Sequence, residues 1–132
     1  LCGEAVVFTH NNAHRHFFSI QKQHGAVIAK GRLIGVQFEA LFTDNLYFDI
    51  SKHAIDMAMK VRDLFRSRGY RFYLDSPSNQ QFVVMTKEQA DALSKNIQFT
   101  YFGQTDKGDV IARFVTSWST TEEELAELAK YI

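Results

Sequence analysis

The sequence predicts an α+β chain: helices first, then a small antiparallel sheet with helices on one face. Three observations carry this. Between 44 and 68, apolar residues recur every three to four positions, the period of one helix face. From Tyr70 onward, short segments rich in Val, Ile, Phe and Tyr alternate at period two, the period of a strand. Among those strands, Thr86 with Gln89 and Thr121 with Glu124 each form the Thr-x-x-Gln/Glu signature of a helix start.

The elements follow in order. Residues 4–10 read as a short strand rich in Val and Phe. Asn11-Asn12 gives a turn and a helix start. Residues 14–24 form a helix with Phe17, Phe18 and Ile20 inward, and Gly25 stands where a C-cap glycine would end it. Residues 30–42 are a second helical segment carrying Leu33, Ile34, Val36, Phe38, Leu41 and Phe42. Asp44 or Asn45 then caps a long helix to Arg68, with Tyr47, Ile50, Ala54, Ala58, Val61 and Phe65 as its apolar stripe. Roughly 24 helical residues span about 36 Å, which suits a connector between two lobes, and Gly69 ends it. Residues 70–74 and 81–85 are strands separated by the turn Ser76-Pro77-Ser78-Asn79. Thr86 opens a helix over 87–95. Residues 98–103 and 109–117 are strands joined by a hairpin loop containing Lys107-Gly108. Thr121 opens the last helix, which ends near Ile132. Strand, strand, helix, hairpin and helix make a compact lobe with one face of its sheet covered.

Composition narrows the function classes. A chain of 132 residues allows one globular domain or two small lobes. Its 45% hydrophobic content, including 12 Phe, supplies a core. One Pro and seven Gly argue against disorder or long linkers. Fifteen basic and fifteen acidic residues cancel, which leaves no global field for nucleic acid or membrane. A single cysteine excludes an internal disulfide and fits a reducing, cytoplasmic compartment. No apolar run approaches the ~18 residues that span a bilayer. The charge is unevenly placed, however. From His10 to Arg32 there is no acid, only Arg15, Lys22, Lys30, Arg32 and four histidines. The last helix holds Glu122, Glu123, Glu124 and Glu127. The basic stretch is either a solvated face or a seat for an anion.

Arg113 is the strongest single candidate for chemistry. Period-two alternation puts Val110, Ala112 and Phe114 on one face and Ile111, Arg113 and Val115 on the other. A guanidinium flanked by Ile and Val is partly desolvated and cannot shed its proton, so it calls for an anion. A carboxylate fits its fork through two parallel hydrogen bonds. The plainer alternatives are an edge-strand arginine reaching to water, or one paired with a local acid such as Asp75. His10 and His14 would share a helical face with His16 nearby, but no cysteine or acid stands in register to complete a ligand set, so no metal is expected. Cys2 lacks a His–acid arrangement and reads as a small buried thiol. Gly25, Gly31 and Gly35 make no phosphate-loop pattern.

Five segments together resemble one family. These are Leu-Cys-Gly-Glu-Ala-Val-Val-Phe (1–8), Lys-Gln-His-Gly (22–25), Ala-Lys-Gly-Arg-Leu-Ile-Gly-Val-Gln-Phe (29–38), Ser-Pro-Ser-Asn-Gln-Gln-Phe (76–82) and Ala-Arg-Phe-Val-Thr-Ser-Trp (112–118). In this order and over the whole chain they resemble the C-terminal portion of the threonine aldolase / β-eliminating lyase family. That family consists of pyridoxal-phosphate (PLP) enzymes of the type I, aspartate-aminotransferase α/β fold.

The resemblance implies a division into 1–43 (end of the large PLP-binding domain with interface helices), 44–69 (connecting helix) and 70–132 (C-terminal small α+β domain). It implies a lyase that cleaves a β-hydroxy-α-amino acid to glycine and an aldehyde. β-Elimination, racemisation or a non-catalytic carboxylate-binding or dimerising module are the alternatives. Arg113 sits where the family grips the substrate carboxylate. Lys30 and Arg32 lie in a region that reaches toward the cofactor phosphate of a neighbouring subunit. The chain opens on Leu1 in a strand-like segment without neighbours, and the family's PLP lysine is expected just upstream of Leu1. The 132-residue chain alone is therefore expected to be inactive. Self-association as a dimer or tetramer is expected from the Phe- and Leu-rich helices over 14–42.

Overall fold

The computed structural model describes Cys2 and residues 4–132. It divides into two compact units, one ending at Tyr47 and the other running Phe48–Ile132.

The first unit is helical. Helix α1 covers Phe17–Gln23 and α2 covers Arg32–Phe42. The expected strand over 4–10 does not form: these residues carry no strand pairing, because a strand needs a partner for its ladder. Helix α1 also starts later than the apolar pattern indicates. His16 takes a left-handed backbone (φ 61°) and serves as the N-cap residue, so the helix cannot extend back to His14. Phe17 is half-buried and meets Phe8 edge to face at 5.1 Å, whereas Phe18 is exposed. Gly25, at φ 70°, ends the helix as expected, with its N–H bonded to the Lys22 carbonyl.

A 3-10 turn at Thr43–Asn45 leads into α3, Leu46–Ser67. Asp44 and Asn45 mark this boundary through their backbone, both left-handed at φ 51° and 60°. Asn and Asp tolerate that region better than most residues. Gly69, at φ 81°, ends α3, with its N–H on the Arg66 carbonyl and the Tyr70 N–H on the Phe65 carbonyl.

The second unit holds the sheet. Strands β1 (Arg71–Phe72), β2 (Gln80–Met85), β3 (Thr100–Gln104) and β4 (Val110–Val115) run antiparallel in the order β1-β2-β4-β3. Helices α4 (Lys87–Leu93) and α5 (Glu122–Leu128) complete it. Both expected capping boxes form: Thr86 with Gln89 and Thr121 with Glu124 each exchange side-chain-to-backbone bonds.

Alternation decides the faces. Val83, Met85, Val110, Ala112 and Phe114 form one core with Val61 and Phe65 of α3, Ala90 and Leu93 of α4, and Leu128 of α5. Of the expected α3 stripe, Ala54, Ala58, Val61 and Phe65 are buried, with Met57 added, whereas Ile50 is half-buried and Tyr47 is exposed. The opposite face carries a smaller buried cluster of Phe82, Val84 and Ile111. The expected small antiparallel domain with helices on one face is what the second unit shows. The strand edges differ by one or two residues. In β3 a register shift between Tyr101 and Gly103 leaves Phe102 as the extra residue, and its ring meets Phe82 edge to face at 4.8 Å.

Candidate functional site

Arg113 sits mid-strand in β4, directly opposite Phe82 on β2 and Thr100 on β3. It shares its face with Ile111, as the alternation implies. The residue is half-buried. Its Nη1 donates to Gln80 Oε1 at 3.4 Å, a long contact. Its Nε is shielded from water and has no acceptor among the described residues. Such an N–H costs about 1–3 kcal/mol of lost hydration until an acceptor arrives.

No carboxylate reaches Arg113 among the described residues. Asp75, the local acid that offered the plainest alternative, is taken by Arg66 at 3.2 Å and lies 3.9 Å from Arg62. With Nη1 turned to Gln80, the enclosed Nε is left without a protein acceptor among the described residues. Two parallel N–H groups on one edge of a guanidinium match the two oxygens of a carboxylate.

Gln80 is the residue that the sequence analysis missed. The strand was expected from residue 81. It begins one residue earlier, and the same alternation that groups Arg113 with Ile111 sets Gln80 in line with Phe82 and Val84. Extending that period one step back was the available signal.

Lys30 and Arg32 flank Gly31 in the turn that opens α2. Together with Ala29, Leu33 and Val36 they line an open depression of about 440 Å³. Both side chains are exposed, and neither forms an ion pair among the described residues. They belong to the first unit and Arg113 to the second. A second depression, lined by Arg68, Arg71, Thr86, Gln89 and Asp109, does not include Arg113, and there Arg71 is already paired with Asp109 at 2.8 Å.

Two expectations need correction. His10 and His14 share no helical face, because neither lies in a helix. His10 Nδ1 meets Thr9 Oγ1 at 2.9 Å and His14 Nδ1 meets its neighbour's carbonyl, Arg15 O, at 2.6 Å. Among the described residues no three His, Cys, Asp or Glu side chains converge. Cys2 is exposed rather than buried, and its backbone N–H donates to Gln37 Oε1 at 2.8 Å. Among the described residues, no helix is long and apolar enough to cross a membrane.

Comparison with solved structures finds a threonine aldolase of Leishmania major. The likeness has a TM-score of 0.82 at 32% sequence identity and covers 89% of this chain. The chain spans 34% of the length of that aldolase and corresponds to its C-terminal portion. No protein-family model matches the chain, and no curated protein matches it. The resemblance read from the five segments thus has a structural counterpart. The fold class expected for a C-terminal piece of a PLP-dependent transferase-like enzyme is the one observed.

Proposed function

We propose that this chain, similar in fold and sequence to the C-terminal portion of a threonine aldolase, is that portion of a PLP-dependent carbon–carbon lyase. The intact enzyme would cleave a β-hydroxy-α-amino acid to glycine and an aldehyde. The observation that carries the proposal is Arg113: a half-buried guanidinium with no acid beside it and an Nε lacking an acceptor among the described residues. Its natural complement is the α-carboxylate shared by all amino-acid substrates.

Arg113 binds that carboxylate through its Nε–Nη2 edge. Two bonds to a planar group fix rotation as well as position, so they set how the α-carbon presents its bonds for cleavage. Phe82 and Ile111, both buried, shield the neighbourhood from water and strengthen the ionic hydrogen bonds. A lysine in place of Arg113 would supply charge without the planar fork.

Lys30 and Arg32 would hold the cofactor phosphate, in a site shared with a second copy in a dimer or tetramer. The donor set fits. One compact ammonium and one planar guanidinium, both unpaired among the described residues, stand at the rim of an open depression. PLP, when bound, supplies the electron sink for the pair released as the Cα–Cβ bond breaks. A reducing, cytoplasmic setting suits the lone, exposed Cys2.

Product analysis of the PLP-loaded intact enzyme with threonine tests the reaction. Equal amounts of glycine and acetaldehyde are expected. Formation of 2-oxobutyrate with ammonia would move the assignment to β-elimination. Loss of chirality without cleavage would move it to racemisation.

A further inference from the structure

We propose that Gln80 is a positioning residue for Arg113, a neutral brace that orients the guanidinium without neutralising it. The proposal rests on Arg113 being the carboxylate grip. Gln80 opens β2 opposite Val115, one alternation step from Phe82, which faces Arg113. Gln80 and Arg113 are therefore diagonal neighbours on one face, within reach of long side chains. Gln80 Oε1 is the acceptor that Arg113 Nη1 has found.

The backbone of Gln80 is held from several directions. Its N–H donates to Ser78 Oγ at 3.2 Å, and Ser78 Oγ meets Ser76 Oγ at 2.9 Å. The buried Gln81 amide donates to the carbonyls of both Ser76 and Ser78, at 3.2 and 3.1 Å. Asn79 Nδ2 donates to the Thr116 carbonyl at 2.8 Å, which ties the turn to the end of β4. The Ser-Pro-Ser-Asn turn thus presents the Gln80 side chain from a fixed base.

An amide suits this role where a carboxylate would not. The carbonyl oxygen of Gln80 accepts one N–H and leaves the full positive charge for a ligand. A carboxylate in the same place would form an ion pair with Arg113 and compete for the fork from within the protein. The amide also takes up Nη1 and leaves the enclosed Nε without a protein acceptor among the described residues.

The test compares three variants in the PLP-loaded intact enzyme. Gln80→Glu keeps the shape of the side chain and strengthens its bond to Arg113. A merely structural role predicts unchanged kinetics. The brace predicts a KM for the amino-acid substrate raised about tenfold or more, with kcat changed far less and the melting temperature not lowered. Gln80→Ala, which frees the guanidinium without adding charge, is expected to raise KM by a smaller factor. Arg113→Lys separates the two levels of the proposal. If it lowers kcat/KM while Gln80→Glu and Gln80→Ala leave KM within about twofold, the brace is overturned and the grip stands. If Arg113→Lys has no effect, the grip is overturned and the brace with it. Should Gln80→Glu fail to fold, Gln80→Ala decides: an unchanged KM overturns the brace.

Discussion

Thr116 Oγ1 donates a 2.6 Å hydrogen bond to the main-chain carbonyl of Ala54 and is itself buried. Ala54 lies in α3, and Thr116 directly follows the strand that carries Arg113. The end of β4 is therefore tied to the helix beneath the sheet. The same hydroxyl lies 3.3 Å from the Asn79 carbonyl, which also accepts the Thr116 N–H at 3.0 Å.

Thr116→Val keeps the branched shape and removes the donor. The expected loss is about 1 kcal/mol, the net worth of one buried neutral hydrogen bond. Urea unfolding of the two proteins checks this, read as a lower midpoint at unchanged slope. An unaltered midpoint would mean that the hydroxyl contributes nothing to stability.

Phe65 is fully buried, and its ring lies 4.8 Å from Phe114 and 5.2 Å from Tyr70. It is the point where α3, β4 and the residue leading into β1 share one contact. Phe65→Ala should cost about 3–5 kcal/mol through lost burial and the cavity left behind. That is a large part of the stability of a small domain. Phe65→Leu should cost less, because it refills part of the space. Chemical denaturation of both variants gives the order directly.

Glu127 carries the clearest prediction for pH. Its hydrogen bond to Lys130, and then one to Tyr131, holds its carboxyl below the usual 4.5. The folded chain thus binds this proton less readily than the unfolded chain does. The contribution is fully present above the ordinary carboxylate value and is lost as pH falls through the lowered folded value. Glu127→Gln removes that dependence. Melting temperatures between about pH 7 and pH 3 should fall less steeply for the variant than for the parent, by a small margin because the pair is exposed. Identical slopes would contradict the assignment.

How far the sequence led depends on what each residue answers to. Thr86 and Thr121 were readable because a capping box is local: four residues satisfy one another's backbone. The α3 stripe was readable because burial repeats with the helix period. The 4–10 segment was misread because a strand is defined by a partner, and Val and Phe content cannot supply one. The start of α1 was misread because nothing in the sequence announces a histidine at φ 61°. At the candidate site, Arg113 emerged from alternation alone. Its link to Gln80 needed the β2–β4 register, which is a long-range fact. The alternative that pairs Arg113 with Asp75 falls to another long-range fact: Asp75 is bound by Arg66 and lies beside Arg62.

The central claim is that Arg113 grips the substrate carboxylate through a planar fork. Steady-state kinetics of Arg113→Lys in the PLP-loaded intact enzyme, with threonine as substrate, tests it most directly. Losing one of two charge-assisted hydrogen bonds predicts a fall in kcat/KM of about tenfold to a hundredfold. A kcat/KM equal to that of the parent enzyme would contradict the account.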